Sequence, residues 1–338
     1  MRVVVTGATG NVGTSVLASL CREPAVNEII GVARRSTALL LPKTRFVSAD
    51  VASDDLTSLF EGAQAVVHLA WMLPSRHSQD ELERINVEGS QRVFESAVRA
   101  KVPQLVVASS IGAYAPGPKD QRVDEQWPTT GVPTSLYSQQ KARVERALDE
   151  LESTHRQLVV TRFRPALIFK RGAASGVQRL FLGGWIPSWL FRSHAMRVVP
   201  DTPRLCLQVV HSLDVGDAFC RAVTRRVGGA FNLVAEPVLH TDRLVQALDA
   251  TPVWLPRRLL KGAVTLSYGL GLQPTSPGWV DLALDCPLLS AAKAQAKLGW
   301  FPQRSSMEAL QELLAGLEHG SGLRTSPLAA DRPPHLCA

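Results

Sequence analysis

Two residues four apart, Tyr137 and Lys141 in Tyr137-Ser138-Gln139-Gln140-Lys141, are the strongest chemical signal in this chain. On a helix such residues share a face, so the ammonium can lie near the phenol or near a ligand touching both. A free tyrosine titrates near about 10 and is a poor base at neutral pH. A nearby cation favours the phenolate, and such a tyrosine can exchange a proton with an alcohol or a carbonyl. Ser109-Ser110 closes the apolar run Gln104–Ala108. A serine at the carboxyl end of a strand stands where open α/β sheets bind ligands and can hydrogen-bond a substrate oxygen. Asn86, in Asn86-Val87-Glu88-Gly89, falls inside a helical pattern, where asparagine is a mediocre helix former. Each residue also has a plain structural use: a helix-surface Tyr and Lys, a serine cap, a solvent-facing asparagine.

A second signal lies at the start. The apolar run Val3-Val4-Val5 leads into Gly7-Ala8-Thr9-Gly10-Asn11-Val12-Gly13, and Val12, Val16, Leu17 and Leu20 follow at helical spacing. A buried strand, a glycine turn and a helix together grip a dinucleotide. The glycines permit a tight turn and close approach to the pyrophosphate, and the helix start offers unpaired N–H groups. An NAD-binding fold usually places Asp or Glu about 20 residues further on, at the adenosine ribose. Here the second strand ends in Gly31-Val32-Ala33-Arg34-Arg35, with no carboxylate. Arginine matches a 2′-phosphate by charge and by paired hydrogen bonds. NADP(H) is therefore the expected cofactor, held in part by Arg34 and Arg35, with NAD(H) the alternative.

The elements that must position these residues alternate. Strands are predicted at Arg2–Thr6, Glu28–Ala33, Thr44–Ser48, Ala65–Leu69, Gln104–Ala108 and Leu158–Phe163, and helices at Asn11–Cys21, Ser53–Leu59, Gln79–Ala100 and Ser135–Thr154. The pattern implies an α/β fold, a doubly wound Rossmann-type parallel sheet, with a smaller C-terminal substrate-binding region. The cofactor domain is expected over 1–169, with 204–230 returning to it. The substrate-binding region is expected over 170–203 and 231–318, and a disordered tail over 319–338.

Bulk properties narrow the class. The chain has 338 residues, 45% of them hydrophobic and 20% charged, as in a soluble globular protein. No apolar run reaches the ~20 residues of a membrane-spanning helix, which speaks against membrane insertion. The five cysteines are scattered without metal-ligand spacing, so no metal is expected and a reduced, cytoplasmic setting is. The net charge of +7 is dispersed along the chain, which argues for a small-molecule substrate and against nucleic acid.

Taken together, the chain resembles the extended branch of the short-chain dehydrogenase/reductases, which includes NAD(P)-dependent epimerases and dehydratases. The resemblance rests on Thr6–Gly13, Asp50-Val51, His68-Leu69-Ala70, Asn86–Gly89, Ser109-Ser110, Tyr137–Lys141 and Arg164-Pro165, with later echoes at Val210–Val215 and Leu298–Pro302. It implies that Gly7, Gly10 and Gly13, with Thr9, Asn11 and Val12, hold the pyrophosphate. Asp50 and Val51 would flank the adenine, and Leu69 and Ala70 would line the cofactor. Pro165 would pack near the carboxamide. Ser110 would polarise the substrate carbonyl, and Tyr137 would be the proton donor in reduction or the base in oxidation. Lys141 would bind the nicotinamide ribose and lower the Tyr137 pKa, and Asn86 would join the proton relay. A homodimer through Gln79–Ala100 and Ser135–Thr154 is allowed.

Ile111 and Gly112 stand where dehydratases of this branch carry an acidic pair, so a dehydratase is disfavoured. An NADPH-dependent reductase of a ketone or aldehyde leads, and a nucleotide-sugar epimerase is the alternative. A non-catalytic NADP(H)-binding regulator is the reading from another class. The segment Leu180–Met196 offers Phe181, Trp185, Ile186, Trp189, Leu190 and Phe191 to an apolar substrate, whereas Arg179, Arg192 and Arg197 could meet a diphosphate.

Overall fold

A computed structural model gives the structure, which describes residues 1–73, 78–181 and 198–329. In chain order the first half runs β1 (Arg2–Thr6), α1 (Asn11–Arg22), β2 (Glu28–Ala33), β3 (Thr44–Ser48), α2 (Thr57–Phe60) and β4 (Ala65–His68). Then come α3 (Gln79–Glu83), a π-helical turn Arg84–Glu88, α4 (Gly89–Arg99), β5 (Gln104–Ala108), β6 (Arg122–Val123), α5 (Leu136–Thr154) and β7 (Val159–Pro165). The second half runs β8 (Leu167–Phe169), α6 (Ala174–Phe181), β9 (Val198–Asp201), β10 (Cys206–His211), α7 (Ser212–Arg225), β11 (Gly229–Leu233) and β12 (Ala235–His240). It closes with α8 (Thr241–Leu248), β13 (Thr251–Trp254), α9 (Arg257–Gly269), α10 (Gly278–Asp285), β14 (Leu288–Leu289), α11 (Ala292–Leu298) and α12 (Ser306–Glu318).

The main sheet is a seven-stranded parallel sheet in the order β11-β7-β5-β4-β1-β2-β3. Strands β1, β4 and β5 carry the apolar runs Val3–Val5, Ala65–Val67 and Leu105–Val107, as strands covered on both faces do. On β1, Val3 and Val5 pack with Val16, Leu17 and Leu20 of α1 and Phe219 of α7. Val4 points the other way, to Val93 and Phe94 of α4 and Leu148 of α5. The strand order reverses between β1 and β4, and ligands of doubly wound sheets bind at such a reversal. A second sheet, β12-β10-β8, carries the core of the C-terminal part, with Val209, Leu239, Leu244 and Leu310 at its centre.

Several boundaries differ from expectation for identifiable reasons. The helix predicted over Ser53–Leu59 shrinks to α2, because Asp50 and Asp55 side chains accept the backbone N–H groups of Ala52 and Thr57 and favour turns. The helix predicted over Gln79–Ala100 is interrupted by the π turn that holds Asn86. In the 204–230 return, α7 does pack on α1: a Cβ at Gly216 would lie 2.5 Å from the Ser15 carbonyl oxygen. Strand β10, however, joins the smaller sheet, and β11 crosses the expected boundary at 230 to become an edge of the main one. Of the tail expected over 319–338, residues 330–338 lie outside the described residues, and 319–329 make contacts with the body of the chain. Ser321 O accepts the Ser175 hydroxyl, Arg179 bonds the carbonyls of Pro327 and Ala329, and Leu328 is buried.

Candidate active site

The glycine turn lies at the reversal point. Gly7 has φ +69, and a Cβ there would come within 2.6 Å of the Ala70 nitrogen and the Leu69 carbonyl carbon. A Cβ at Gly13 would sit 2.3 Å from the Gly7 oxygen. These two glycines are therefore fixed by the turn's own packing against the end of β4. Gly10 is the N-cap of α1 and supplies no side-chain cap to the helix N–H groups. Gly10, Asn11 and Val12 stay partly exposed, Thr9 is buried, and Asn11 Oδ1 is buried without a partner. A helix start with open donors beside such a turn fits the diphosphate of a dinucleotide.

Other expected cofactor residues are arranged around that turn. Arg34 and Arg35 are exposed just beyond β2, with the Arg35 guanidinium donating to Ser326 Oγ at 2.8 Å. Asp50 turns its carboxylate onto the Ala52 N–H at 2.9 Å, and Val51 is buried against Gly89. Leu69 and Ala70 follow β4, and Pro165 ends β7 in the core, paired with Leu233 of β11.

The candidate catalytic residues come together at the start of α5. Ser135 caps this helix. Ser138 accepts the Val132 N–H at 2.6 Å and donates to the Gly112 carbonyl at 2.5 Å, tying the first turn of α5 to the loop after β5. That tie brings Tyr137 onto Ser110. A Cβ at Gly112 would meet the Tyr137 ring at 2.8 Å, so the ring occupies space that only glycine leaves open. Ser110 Oγ accepts the Gly112 N–H at 3.0 Å. Its neighbour Ser109 faces away and donates to Glu145 at 2.5 Å.

Tyr137 is also enclosed by two indoles that sequence reasoning did not find. Trp279 of α10 stacks on its ring at 5.0 Å and 27°, and Trp71 meets it edge-on at 6.0 Å and 81°. α10 reaches this place because Gly278 packs against the Thr134 carbonyl and Thr134 donates to Asp281. α9 buries none of its own residues and is held to α10 by Arg257 and Lys261 on Asp281 and Asp285.

The resemblance implies that Lys141 lowers Tyr137, but burial pushes the phenol up to about 12, with the Ser110 hydrogen bond acting the other way. Lys141 is itself only 4% exposed, and burial brings it down to about 7 against the opposing pull of Glu145. Its ammonium donates to the Ala108 carbonyl at 2.9 Å and sits 3.4 Å from the centre of the Trp71 ring. The lysine is thus turned to the indole and the strand end.

Asn86, expected in the proton relay, sits in the π turn beside α5. It is fully buried, accepts the Met72 N–H at 2.7 Å, and donates to Met72 O and to Gln140 Oε1. None of these bonds goes to Ser110, Tyr137 or Lys141. Asn86 holds the loop carrying Trp71 against α5. His68, buried between Thr6 Oγ1 and Ser90 Oγ, is brought down to about 3 by burial and stays neutral.

Behind Lys141 lies a second feature not foreseen. Glu145 has no exposed side-chain surface and receives Arg164 through two bonds of 2.8 Å, Arg162 at 3.1 Å and Ser109. The arginines and the serine hold its carboxyl down to about 2 although burial works to raise it. Tyr137, Lys141 and Glu145 are spaced by four, and Arg162 and Arg164 by two. That pairing of a helical and a strand period was the available signal. Side chains of 181–197, with Trp185, Ile186, Trp189, Leu190, Phe191, Arg192 and Arg197 among them, lie outside the described residues, as does Phe181's side chain. Arg179 is engaged by the carbonyls of 327 and 329. No cluster with metal-ligand geometry occurs among the described residues, and no helix there is long and apolar enough to cross a membrane.

Comparison with known proteins adds the following. Residues 3–233 match the family model described as NAD dependent epimerase/dehydratase family. An uncharacterized protein of Mycobacterium tuberculosis is 26% identical over 326 residues, 96% of this chain and 31% of that protein. The chain thus spans about a third of the length of the first curated relatives it matches. The human sterol-4-alpha-carboxylate 3-dehydrogenase, decarboxylating, is 29% identical over 129 residues, 38% of this chain and 35% of that protein. The solved complex of Thermus thermophilus UDP-glucose 4-epimerase with NAD aligns with a TM-score of 0.67 at 20% identity, covering 94% of this chain and 99% of that one. That likeness shows a shared fold.

Proposed function

The chain belongs to the NAD dependent epimerase/dehydratase family, and from that premise we propose that it is an NADPH-dependent reductase of an apolar, ring-bearing ketone or aldehyde. The N–H groups at the start of α1, with Gly7, Thr9, Gly10, Asn11, Val12 and Gly13, hold the diphosphate. Asp50 and Val51 flank the adenine. Leu69, Ala70 and Pro165 line the nicotinamide half, and Lys141 binds its ribose. Arg34 and Arg35 take the 2′-phosphate, since no carboxylate ends β2 to claim a bare hydroxyl. The bound nicotinamide supplies the hydride. Ser110 donates to the substrate carbonyl oxygen, and Tyr137 delivers its hydroxyl proton to that oxygen as the carbon is reduced to an alcohol. Residues 170–203 and 231–318 form most of the substrate wall.

One observation carries this reading: the Tyr137 phenol, raised to about 12, stands between Trp71 and Trp279. A phenol is protonated at neutral pH and can donate its proton, as reduction requires. Indole rings beside it offer flat apolar contact to a ring-bearing substrate. Partial identity to a human 3-dehydrogenase supports redox chemistry on a ring carbon.

The second reading, epimerisation of a nucleotide sugar, draws on solved relatives such as the Thermus UDP-glucose 4-epimerase. Incubation with NADPH and a panel of aromatic and alicyclic ketones separates the two. Stoichiometric loss of NADPH with alcohol formation supports the reductase. Inversion of a UDP-sugar without net cofactor consumption would replace it with the epimerase.

A further inference from the structure

We propose that Lys170 aids cofactor binding through space, without touching it: its ammonium provides positive charge to the diphosphate of a dinucleotide docked at the start of α1, from behind the glycine turn. This deepens the dinucleotide reading above and rests on it.

Lys170 directly follows β8, the strand where the chain leaves the main sheet for the smaller one. Its side chain runs back to α1. The ammonium donates to the Asn11 carbonyl at 2.7 Å, Thr14 Oγ1 at 2.6 Å and Ser15 Oγ at 3.0 Å. All three donors are used, and all three acceptors are neutral. Lys170 is 9% exposed and makes no ion pair with any described carboxylate. Burial alone brings it down to about 8.

A buried cation without an anion is costly, and natural proteins rarely keep one that has no use. The location adds to the cost. Asn11 is the first residue of α1, the positive end of the helix dipole, where a cation is unfavourable and an anion is welcome. Around it, Ser212 donates to the same Asn11 carbonyl and shares a hydrogen bond with Ser15, while Gly216 packs against Ser15. These neighbours are neutral. Two positive features therefore converge on one turn with no carboxylate among the described residues paired to Lys170. A diphosphate on the open side of that turn balances both. The interaction is through space, a few ångströms past the first turn, and a charge pair at such range in a half-buried site corresponds to about tenfold in affinity.

The test is Lys170→Met, with titrations of NADPH and of NADH and melting of the cofactor-free protein. Both dissociation constants should rise about tenfold, equally, because the two cofactors share the diphosphate. The cofactor-free melting temperature should hold or rise, since an unbalanced buried charge has gone. Unchanged affinities, loss for NADPH alone, or a loss seen only together with a fall in cofactor-free melting would overturn the assignment. Lys170→Gln, which keeps hydrogen bonds but not charge, must show the same loss, and it decides the matter should the Met variant not fold. Failure of the wild-type protein to bind either cofactor would instead sink the dinucleotide reading itself.

Discussion

Burial raises the Tyr137 phenol and lowers the Lys141 ammonium beside it. Removing the hydroxyl with Tyr137→Phe should lower kcat by about 10²–10⁴-fold while NADPH affinity stays within about twofold. Turnover that survives the change would rule out the proposed proton transfer. Trp279→Ala removes the stacked face and should raise KM for an aromatic ketone about tenfold more than for a small aliphatic one. Equal effects on both would count against a ring-recognising wall. Arg34→Asp should weaken NADPH and strengthen NADH. A titration showing the same preference as the wild type would remove that arginine from the 2′-phosphate site. At this scale the sequence disclosed the groups whose spacing is local. Tyr137 and Lys141 are one turn apart, and Ser110 ends a strand. Trp71 and Trp279 stayed hidden because each reaches Tyr137 from far along the chain, Trp279 through the packing of α10 on the start of α5, which no local period records.

α5 and β7 are joined by a buried charge cluster rather than by apolar packing alone. Glu145 balances Arg162 and Arg164, and Arg162 reaches out to Asp149 and Glu152 at the rim. Glu145→Gln leaves two buried guanidiniums undercompensated and should cost about 3–5 kcal/mol in a denaturant melt. A loss under about 1 kcal/mol would show that solvent already screens the pair. The pH dependence has a definite sign. The Glu145 carboxyl lies below its ordinary 4.5, at about 2, so its contribution is complete above pH 4.5 and is lost as pH falls through about 2. His68 acts in the same direction. Kept neutral, with its value near 3 instead of 6.5, it makes folding lose about 1.4 kcal/mol per pH unit across that interval. Acid titration of His68→Asn should be flatter between those limits, and an unchanged slope would dismiss the histidine. The strands of the first half were legible because a sheet covered on both faces demands continuous Val, Ile and Leu. The π turn was not, since it follows from the side-chain bonds of Asn86 and from Gly89 closing on Val51.

Across the whole molecule, the first 165 residues follow a pattern of alternating strand and helix that the sequence states plainly, and the remainder does not. The reason lies in where the later elements find their partners. Leu207 pairs with Leu239 and Val209 with Ala235 in a small sheet whose apolar runs are short and broken by Pro237, and α12 covers it with Leu310. Each contact there is long-range, so no window of sequence contains it. Association with NADPH should raise the melting temperature of the whole chain as mass action requires, by an amount that grows with cofactor concentration. A melting curve indifferent to cofactor would argue that the glycine turn is structural only.

The position of β11 bears on how the protein is made. It is an outer strand of the main sheet, hydrogen-bonded along β7 from Gly229 to Leu233, yet some 64 residues separate it from the end of that neighbour at Pro165. A ribosome therefore releases β7 long before it releases the strand that covers it. For that interval the nascent chain exposes an unpaired edge of Val159, Val160 and Phe163 to any other chain nearby. A polypeptide halted at Arg226 should collect in the insoluble fraction, whereas one extended through Leu233 should recover part of its solubility, even though neither contains the last hundred residues.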